Sequence, residues 1–190
     1  MGFFNKSFFA GVAAGAVLTV VVLAVASYLV FAPLVDRIPP VSLPPALPTH
    51  DVPLRAGADW KLRDLDGKPT SLAAFRGRVI FLNKWATWCR PCVLELPSIQ
   101  ALHDSLRSED VAFVLVSDED PAKVRAFVQS RRLTVPVYIA AEKPPRTLVS
   151  QGIPATYILD RSGNVMAEHV GAANWFAPEC VAYLRRLLAR

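Results

Sequence analysis

The chain has 190 residues, room for one medium-sized domain with appendages. Its 21 Lys/Arg against 16 Asp/Glu leave a net charge of +5 with no long run of like charge. Arg131/Arg132 and Arg185/Arg186 are the densest basic spots and read as solvated helix faces, so no nucleic-acid partner is expected. Three cysteines are too few to staple a scaffold of this size, and two share one CxxC, which points to chemistry.

Residues 1–7, with Lys6 their only charged side chain, form a short tip that the positive-inside rule places in the cytoplasm. The uncharged apolar run over 8–35 exceeds the roughly 20 residues a helix needs to cross a bilayer, so a transmembrane anchor is expected there. A cleaved signal peptide ending at Ala24-Val25-Ala26 is the competing reading. It fits less well, because a signal core of about 7–15 residues would stop before Tyr28-Leu29-Val30-Phe31. Pro33 to Pro53 holds seven prolines in 21 positions, which removes backbone donors and favours extended geometry. Residues 36–55 are therefore expected to be a Pro-rich linker, either a semi-rigid spacer or a tether of no set length.

Residues 56–190 read as one domain. Trp60–Arg63 and Thr70–Leu72 flank an Asp66-Gly67 turn signal, a β-hairpin. Arg78–Trp85 is a β-branched and aromatic run suited to a buried strand. Pro91–Leu106 has helical spacing, Val111–Val116 is a second apolar run, Pro121–Arg131 a second amphipathic helix and Val135–Ala140 a short strand. Thr156–Leu159 and Val165–Val170 flank a glycine turn, and Pro178–Ala189 closes the chain as an amphipathic helix. Strands alternating with helices and then a hairpin imply an α/β domain, a mixed central sheet with helices on both faces.

Chemistry concentrates in Trp85-Ala86-Thr87-Trp88-Cys89-Arg90-Pro91-Cys92, where a hydrophobic strand gives way to a helix. Unpaired N–H groups and the positive end of the helix dipole stabilise a thiolate there, so Cys89 is the expected nucleophile. Cys92 lies one turn further on the same face and can resolve a mixed disulfide. Pro91 suits a helix start because its missing N–H would have had no partner, and Arg90 adds a permanent charge that favours the thiolate. Zinc needs two further ligands at ordered spacing, which His50, His103, His169 and Cys180 do not supply. Covalent haem needs His directly after the second cysteine, and the residue is Val93. No metal or organic cofactor is expected.

WATWCRPCVLELP, followed later by GIPATYILDRSGNV, resembles the thioredoxin superfamily, and more narrowly its membrane-anchored group of TlpA-like and ResA-like reductases and cytochrome c maturation thioredoxins. The resemblance runs from about Trp60 to the carboxyl terminus. It implies a thioredoxin-like fold with an N-terminal hairpin extension, with Cys89 as the exposed nucleophile and Cys92 as the resolving cysteine. Trp88 is implied to shield the sulfurs, and Pro154 to be a cis-proline facing the CxxC. Glu95 matches an acidic position that tunes cysteine ionisation; an exposed helix glutamate is the bland alternative. Asn83 stands where cytoplasmic thioredoxins carry a buried aspartate, which passes any proton-transfer role to Glu95 or water. Lys84 stands where phenylalanine is common and reads as a snorkelling edge residue, with a partner contact as the alternative. Cys180 reads as a buried small hydrophobe, and His103 and His169 as structural.

The resemblance implies a membrane-anchored, extracytoplasmic protein disulfide reductase working through a Cys89–Cys92 redox disulfide. Its clients would be exported proteins such as apocytochrome c, and a membrane redox protein would supply or accept electrons. An oxidase or isomerase, suggested by Arg90, and a redox-silent thioredoxin-fold binding or chaperone module remain as alternatives; peroxidase chemistry is less favoured.

Overall fold

The computed structural model describes residues 16–27, 52–53 and 59–190. Contacts divide the chain into two units, 1–40 and 41–190. In the first, residues 16–27 form helix α1 with exposed apolar side chains such as Leu18 and Leu23. No helix among the described residues is long and apolar enough to cross a membrane. The expected anchor over 8–35 is described only in this stretch, and the tip and most of the Pro-rich linker lie outside the described residues.

The second unit is built on a mixed sheet of eight described strands. They are β1 (Val52–Pro53), β2 (Lys61–Asp64), β3 (Pro69–Ser71), β4 (Val79–Lys84), β5 (Val111–Ser117), β6 (Val137–Ala140), β7 (Ala155–Leu159) and β8 (Asn164–Val170), in the spatial order β1-β8-β7-β4-β5-β6-β2-β3. Helix α2 (Arg90–Ser105) follows β4, α3 (Pro121–Ser130) follows β5 and α4 (Pro178–Leu188) closes the chain. β4, β5 and β6 run parallel, as strands joined by helical crossovers can, and the remaining pairings are antiparallel.

The elements follow the sequence reading closely. Asp64 turns the β2–β3 hairpin by accepting from the backbone N–H groups of Asp66 and Lys68, both at 2.9 Å, while Gly67 takes a φ of +83° that a side chain would resist. The hairpin then pairs with β6, so the N-terminal extension widens the sheet at that side. β6 begins at Val137 rather than at Val135, since Pro136 has no N–H for a ladder. Val52–Pro53, inside the expected linker, instead pair with Val165 and Asn164 of β8. Two residues, one of them proline, carry no alternating pattern from which a strand could be read.

Alternation along the strands separates two cores. On one face Val79 and Phe81 of β4 meet Phe113 and Leu115 of β5 and Trp175. All three described α-helices of this unit pack there, through Leu96, Ile99 and Leu102, Val124, and Leu184 and Leu187. On the other face Ile80, Leu82, Val114 and Tyr157 are covered by Trp60, Leu72 and Leu148. The expectation of helices on both faces is therefore corrected: short 3-10 turns at Leu72–Phe75 and Arg146–Leu148, rather than α-helices, close the second face. Leu72 and Leu148 supply enough apolar cover from single turns, and three- or four-residue turns carry no helical period in the sequence.

Phe81 is completely buried, with its ring 5.2 Å from those of both Phe113 and Trp175. Phe81→Ala is expected to cost about 3–5 kcal/mol, the usual range for an aromatic deleted from a core. Urea unfolding monitored by tryptophan fluorescence measures it, and an unchanged midpoint would contradict the packing described.

Candidate functional site

β4 is the inner strand from which the CxxC emerges. The chain leaves it at Lys84, and Trp85 N–H still donates to Val116 O at 3.0 Å, so the exit is tied to β5. Thr87 is held next: its N–H and hydroxyl donate to the two carboxylate oxygens of Glu119 at 2.6 and 2.8 Å. Glu119 also accepts from Lys123 Nζ at 2.6 Å. Burial alone would raise this carboxyl's pKa, but the hydrogen bonds from Lys123 and Thr87 outweigh it and leave it below its ordinary value. Glu119 therefore fixes the approach to the cysteines, and no motif in the sequence marked it.

Cys89 caps the N-terminus of α2, with Arg90 and Pro91 in the first turn, both exposed. Cys89 and Cys92 are joined as a disulfide with Cα atoms 5.3 Å apart. Cys89 Sγ accepts from Cys92 N–H at 3.3 Å, one of the first-turn donors with no partner inside the helix. The same N–H is placed to stabilise a Cys89 thiolate when the bond is reduced. Cys92 is wholly buried and Cys89, expected as an exposed nucleophile, is itself only 5% exposed, so of the two Cys89 alone keeps any solvent access. The neighbouring Trp88 is 68% exposed, a large apolar side chain presented to solvent beside the sulfur.

The Ile153–Pro154 peptide bond is cis. Ile153 O lies 3.7 Å from Cys89 Sγ, which brings this loop against the disulfide as the sequence resemblance implies. A cavity of about 500 Å³ opens alongside, walled by Lys84, Trp88, Asp118, Lys143, Gln151 and Ile153 among others.

Glu95, one turn beyond Cys92, is only 1% exposed, which overturns the exposed-glutamate alternative. Its Oε1 accepts from Asn83 Nδ2 at 2.8 Å, and its Oε2 from Ala173 N–H at 3.1 Å and Trp175 Nε1 at 3.0 Å. Burial pushes its pKa up to about 7, against the opposing pull of the donors from Trp175, Asn83 and Ala173. Asn83, completely buried, also donates to Thr156 Oγ1 at 2.9 Å and links β4, α2 and β7. Trp175 and Ala173 come from the segment before α4, far along the chain, and no sequence signal tied them to Glu95.

Lys84 is not an edge residue. β4 is flanked by β7 and β5, and the half-buried Lys84 turns to the second face, where Nζ donates to Leu148 O and Ser150 Oγ, both at 3.0 Å. Burial lowers its pKa, partly offset by the charges of Asp118 and Glu168. Cys180 is 1% exposed, and burial raises its thiol pKa to about 11, as fits a small hydrophobe in the core of α4. His103 stacks edge-on against Phe113, and His169 stands against Trp175. Among the described residues no group of three or more His, Cys, Asp or Glu is arranged to hold a metal ion.

Glu95 links site and stability. With a folded pKa of about 7 against an ordinary 4.5, the native state holds a proton that the unfolded state has released between those values. Its contribution is full below pH 4.5 and is lost as pH rises towards about 7, on the order of 3 kcal/mol. Glu95→Gln is expected to flatten stability over that window; denaturant midpoints at pH 4.5 and 7.5 for both chains measure it, and equal slopes refute the assignment. Cys180 is expected to resist iodoacetamide in the folded protein and to react only after unfolding, scored by mass spectrometry. Labelling of the native chain would show that the thiol is accessible.

The model of the AhpC/TSA family matches residues 54–168. The chain is 34% identical to the thioredoxin-like protein YneN of Bacillus subtilis, over 60% of this chain and 68% of that one. It is also 34% identical to the thiol-disulfide oxidoreductase ResA of Bacillus thuringiensis subsp. konkukian, over 60% and 66% of the two chains. It thus spans about two thirds of the length of these curated relatives. A crystal structure of a thiol:disulfide interchange protein of the thioredoxin family from Chlorobium tepidum superposes with a TM-score of 0.57 at 25% identity, covering 76% of this chain and 97% of that one. With the family's residues matched over more than half its length and the fold shared, the chain belongs to the AhpC/TSA family, in the thioredoxin-like group to which its relatives named thiol-disulfide oxidoreductases belong.

Proposed function

We propose that this chain is a membrane-anchored, extracytoplasmic thiol:disulfide oxidoreductase that reduces disulfides of exported proteins, apocytochrome c among them. The observation that carries the reading is the asymmetric disulfide: Cys92 fully buried, Cys89 keeping 5% exposure at a helix N-terminus beside cis-Pro154. The similarity to ResA supports the same chemistry. In the reduced protein the Cys89 thiolate attacks one sulfur of the client disulfide and the other client sulfur leaves as a thiolate, which takes up a proton. Cys92, losing its proton, then attacks Cys89 Sγ, the mixed disulfide breaks, and the client's second sulfur departs as a thiol. Two electrons pass to the client and the Cys89–Cys92 disulfide forms; a membrane redox partner supplies two electrons to reset it.

The anchor over 8–35, the linker over 36–55 and a domain from 56 onward support placing the site on the outer side of the cytoplasmic membrane, where client disulfides form. Trp88, Arg90, Pro91, Glu95 and Pro154 shape or tune the site, and Cys89 and Cys92 carry the exchange.

The test uses the full chain in detergent. Its reduction potential is expected near or below about −270 mV, as for thioredoxin; a value near −120 mV would make it an oxidant instead. Cys92→Ser is expected to accumulate a mixed disulfide with a reducible client while Cys89→Ser forms none. A Cys89→Ser chain that still reduces insulin disulfides refutes the reading.

A further inference from the structure

The loop before Pro154 reaches the disulfide through hydrogen bonds that begin on β4. Lys84 Nζ donates to Leu148 O and to Ser150 Oγ, both at 3.0 Å. A serine hydroxyl has one proton, and Ser150 spends it on Gly152 O at 2.8 Å, so it must accept from Lys84. The next residue, Ile153, sets its carbonyl 3.7 Å from Cys89 Sγ. On the far side, Pro154 O accepts from Gly171 N–H at 2.8 Å. The segment is thus held at both ends, and between the buried Leu148 and Ile153 the Lys84 ammonium ties it to β4.

Stability alone does not account for that group. Lys84 shares its face with Ile80 and Leu82, which are almost fully buried, and an apolar side chain there would avoid desolvating a cation. Among the described residues Lys84 forms no salt bridge: its partners at contact are a carbonyl and a hydroxyl, and Asp118 and Glu168 act on it only by their charge. Half-buried, it also stands in the wall of the cavity beside the disulfide, with Trp88, Gln151 and Ile153.

We propose that Lys84 is a positioning residue for the exchange at Cys89, holding the 148–153 loop, through Ser150 and Gly152, as the wall against which a client polypeptide lies. The inference rests on the exchange proposed above. A small disulfide needs only to reach Cys89 Sγ, whereas a polypeptide must also seat its chain along this wall. Lys84 therefore matters to one substrate far more than to the other.

The experiment compares full-length wild type, Lys84→Met and Ser150→Ala on a peptide with one intramolecular disulfide and on neutral hydroxyethyl disulfide. Amide hydrogen exchange at Leu148 and Val149, which donate to Pro145 O and Arg146 O, is followed in parallel. Each variant is expected to raise the peptide KM roughly tenfold, about 1.4 kcal/mol, with kcat little altered. The rate on hydroxyethyl disulfide should change less than twofold, and both amides should exchange faster. Ser150→Ala cuts the relay outside the strand and keeps the test valid if Lys84→Met folds poorly. An unchanged peptide KM, an equal loss on both substrates or unaltered amide exchange overturns the proposal. A wild type inactive on both disulfides removes the proposed function itself, and accelerated exchange in the variants would then identify a loop tether with no part in this reaction.

Discussion

A helix that starts where a buried strand stops leaves its first N–H groups without intrahelical partners, and this site is organised around that fact. β4 is hydrogen-bonded on both sides, to β5 and β7, so its end cannot shift to relieve the helix. The connection from Lys84 to Cys89 is pinned by Trp85 to Val116 and by Thr87 to Glu119. The unsatisfied donors are therefore delivered to one place, and Cys89 Sγ is the acceptor found there. What the junction requires electrostatically, a group able to carry negative charge, is what disulfide exchange requires chemically.

The strand's two-residue period distributes the rest of the site. Asn83 and Lys84 are consecutive and so point to opposite faces, the first under α2 towards Glu95 and the second towards the loop before Pro154. Neither is cheap. Asn83 Oδ1 is buried without a partner among the described residues, a cost of about 1–3 kcal/mol, and the Glu95 carboxyl is taken out of water. Three donors converge on Glu95 from β4 and from the segment before α4, which partly offsets its desolvation and ties the end of the domain to the active-site helix. The same polar groups that reduce stability thus fix the geometry on both sides of the disulfide.

How much of this could be read from the chain follows from the range of the interactions. The CxxC, its helix, the β4 run and the hairpin turns are local patterns of period and turn chemistry, and they stand within a residue or two of expectation. Pro154 was legible only through its resemblance to a family motif, since nothing in Gly-Ile-Pro-Ala alone selects a cis bond. Glu95 stood out as an acidic residue near the cysteines, yet its burial depends on Trp175 and Ala173, 80 and 78 positions away. Glu119 reads as one acid among Asp118, Glu119 and Asp120, and only the fold shows that it reaches back to Thr87. Lys84, at the end of a run read as a buried strand, suggests a snorkelling edge residue by its charge alone; β7, formed from residues much later in the chain, covers that side.

These placements also bear on which of three charges governs the cysteine pair in the proposed exchange. Arg90 is exposed, so solvent and salt screen its attraction for a thiolate, and a surface charge of this kind contributes on the order of 1 kcal/mol or less. Glu95 is buried, where the effective dielectric is lower and its influence correspondingly larger. Its position one turn beyond Cys92 makes the two side chains neighbours on the helix surface, so an ionised Glu95 opposes a thiolate at Cys92. Cys89, at the helix start, has the Cys92 N–H and the helix dipole in its favour. The two influences act on different sulfurs and in opposite senses: the dipole lowers the cost of charge at Cys89, and Glu95, once ionised, raises it at Cys92. The nucleophile is thereby set by burial and helix geometry, and Arg90, which alone suggested an oxidant, is the weakest of the three.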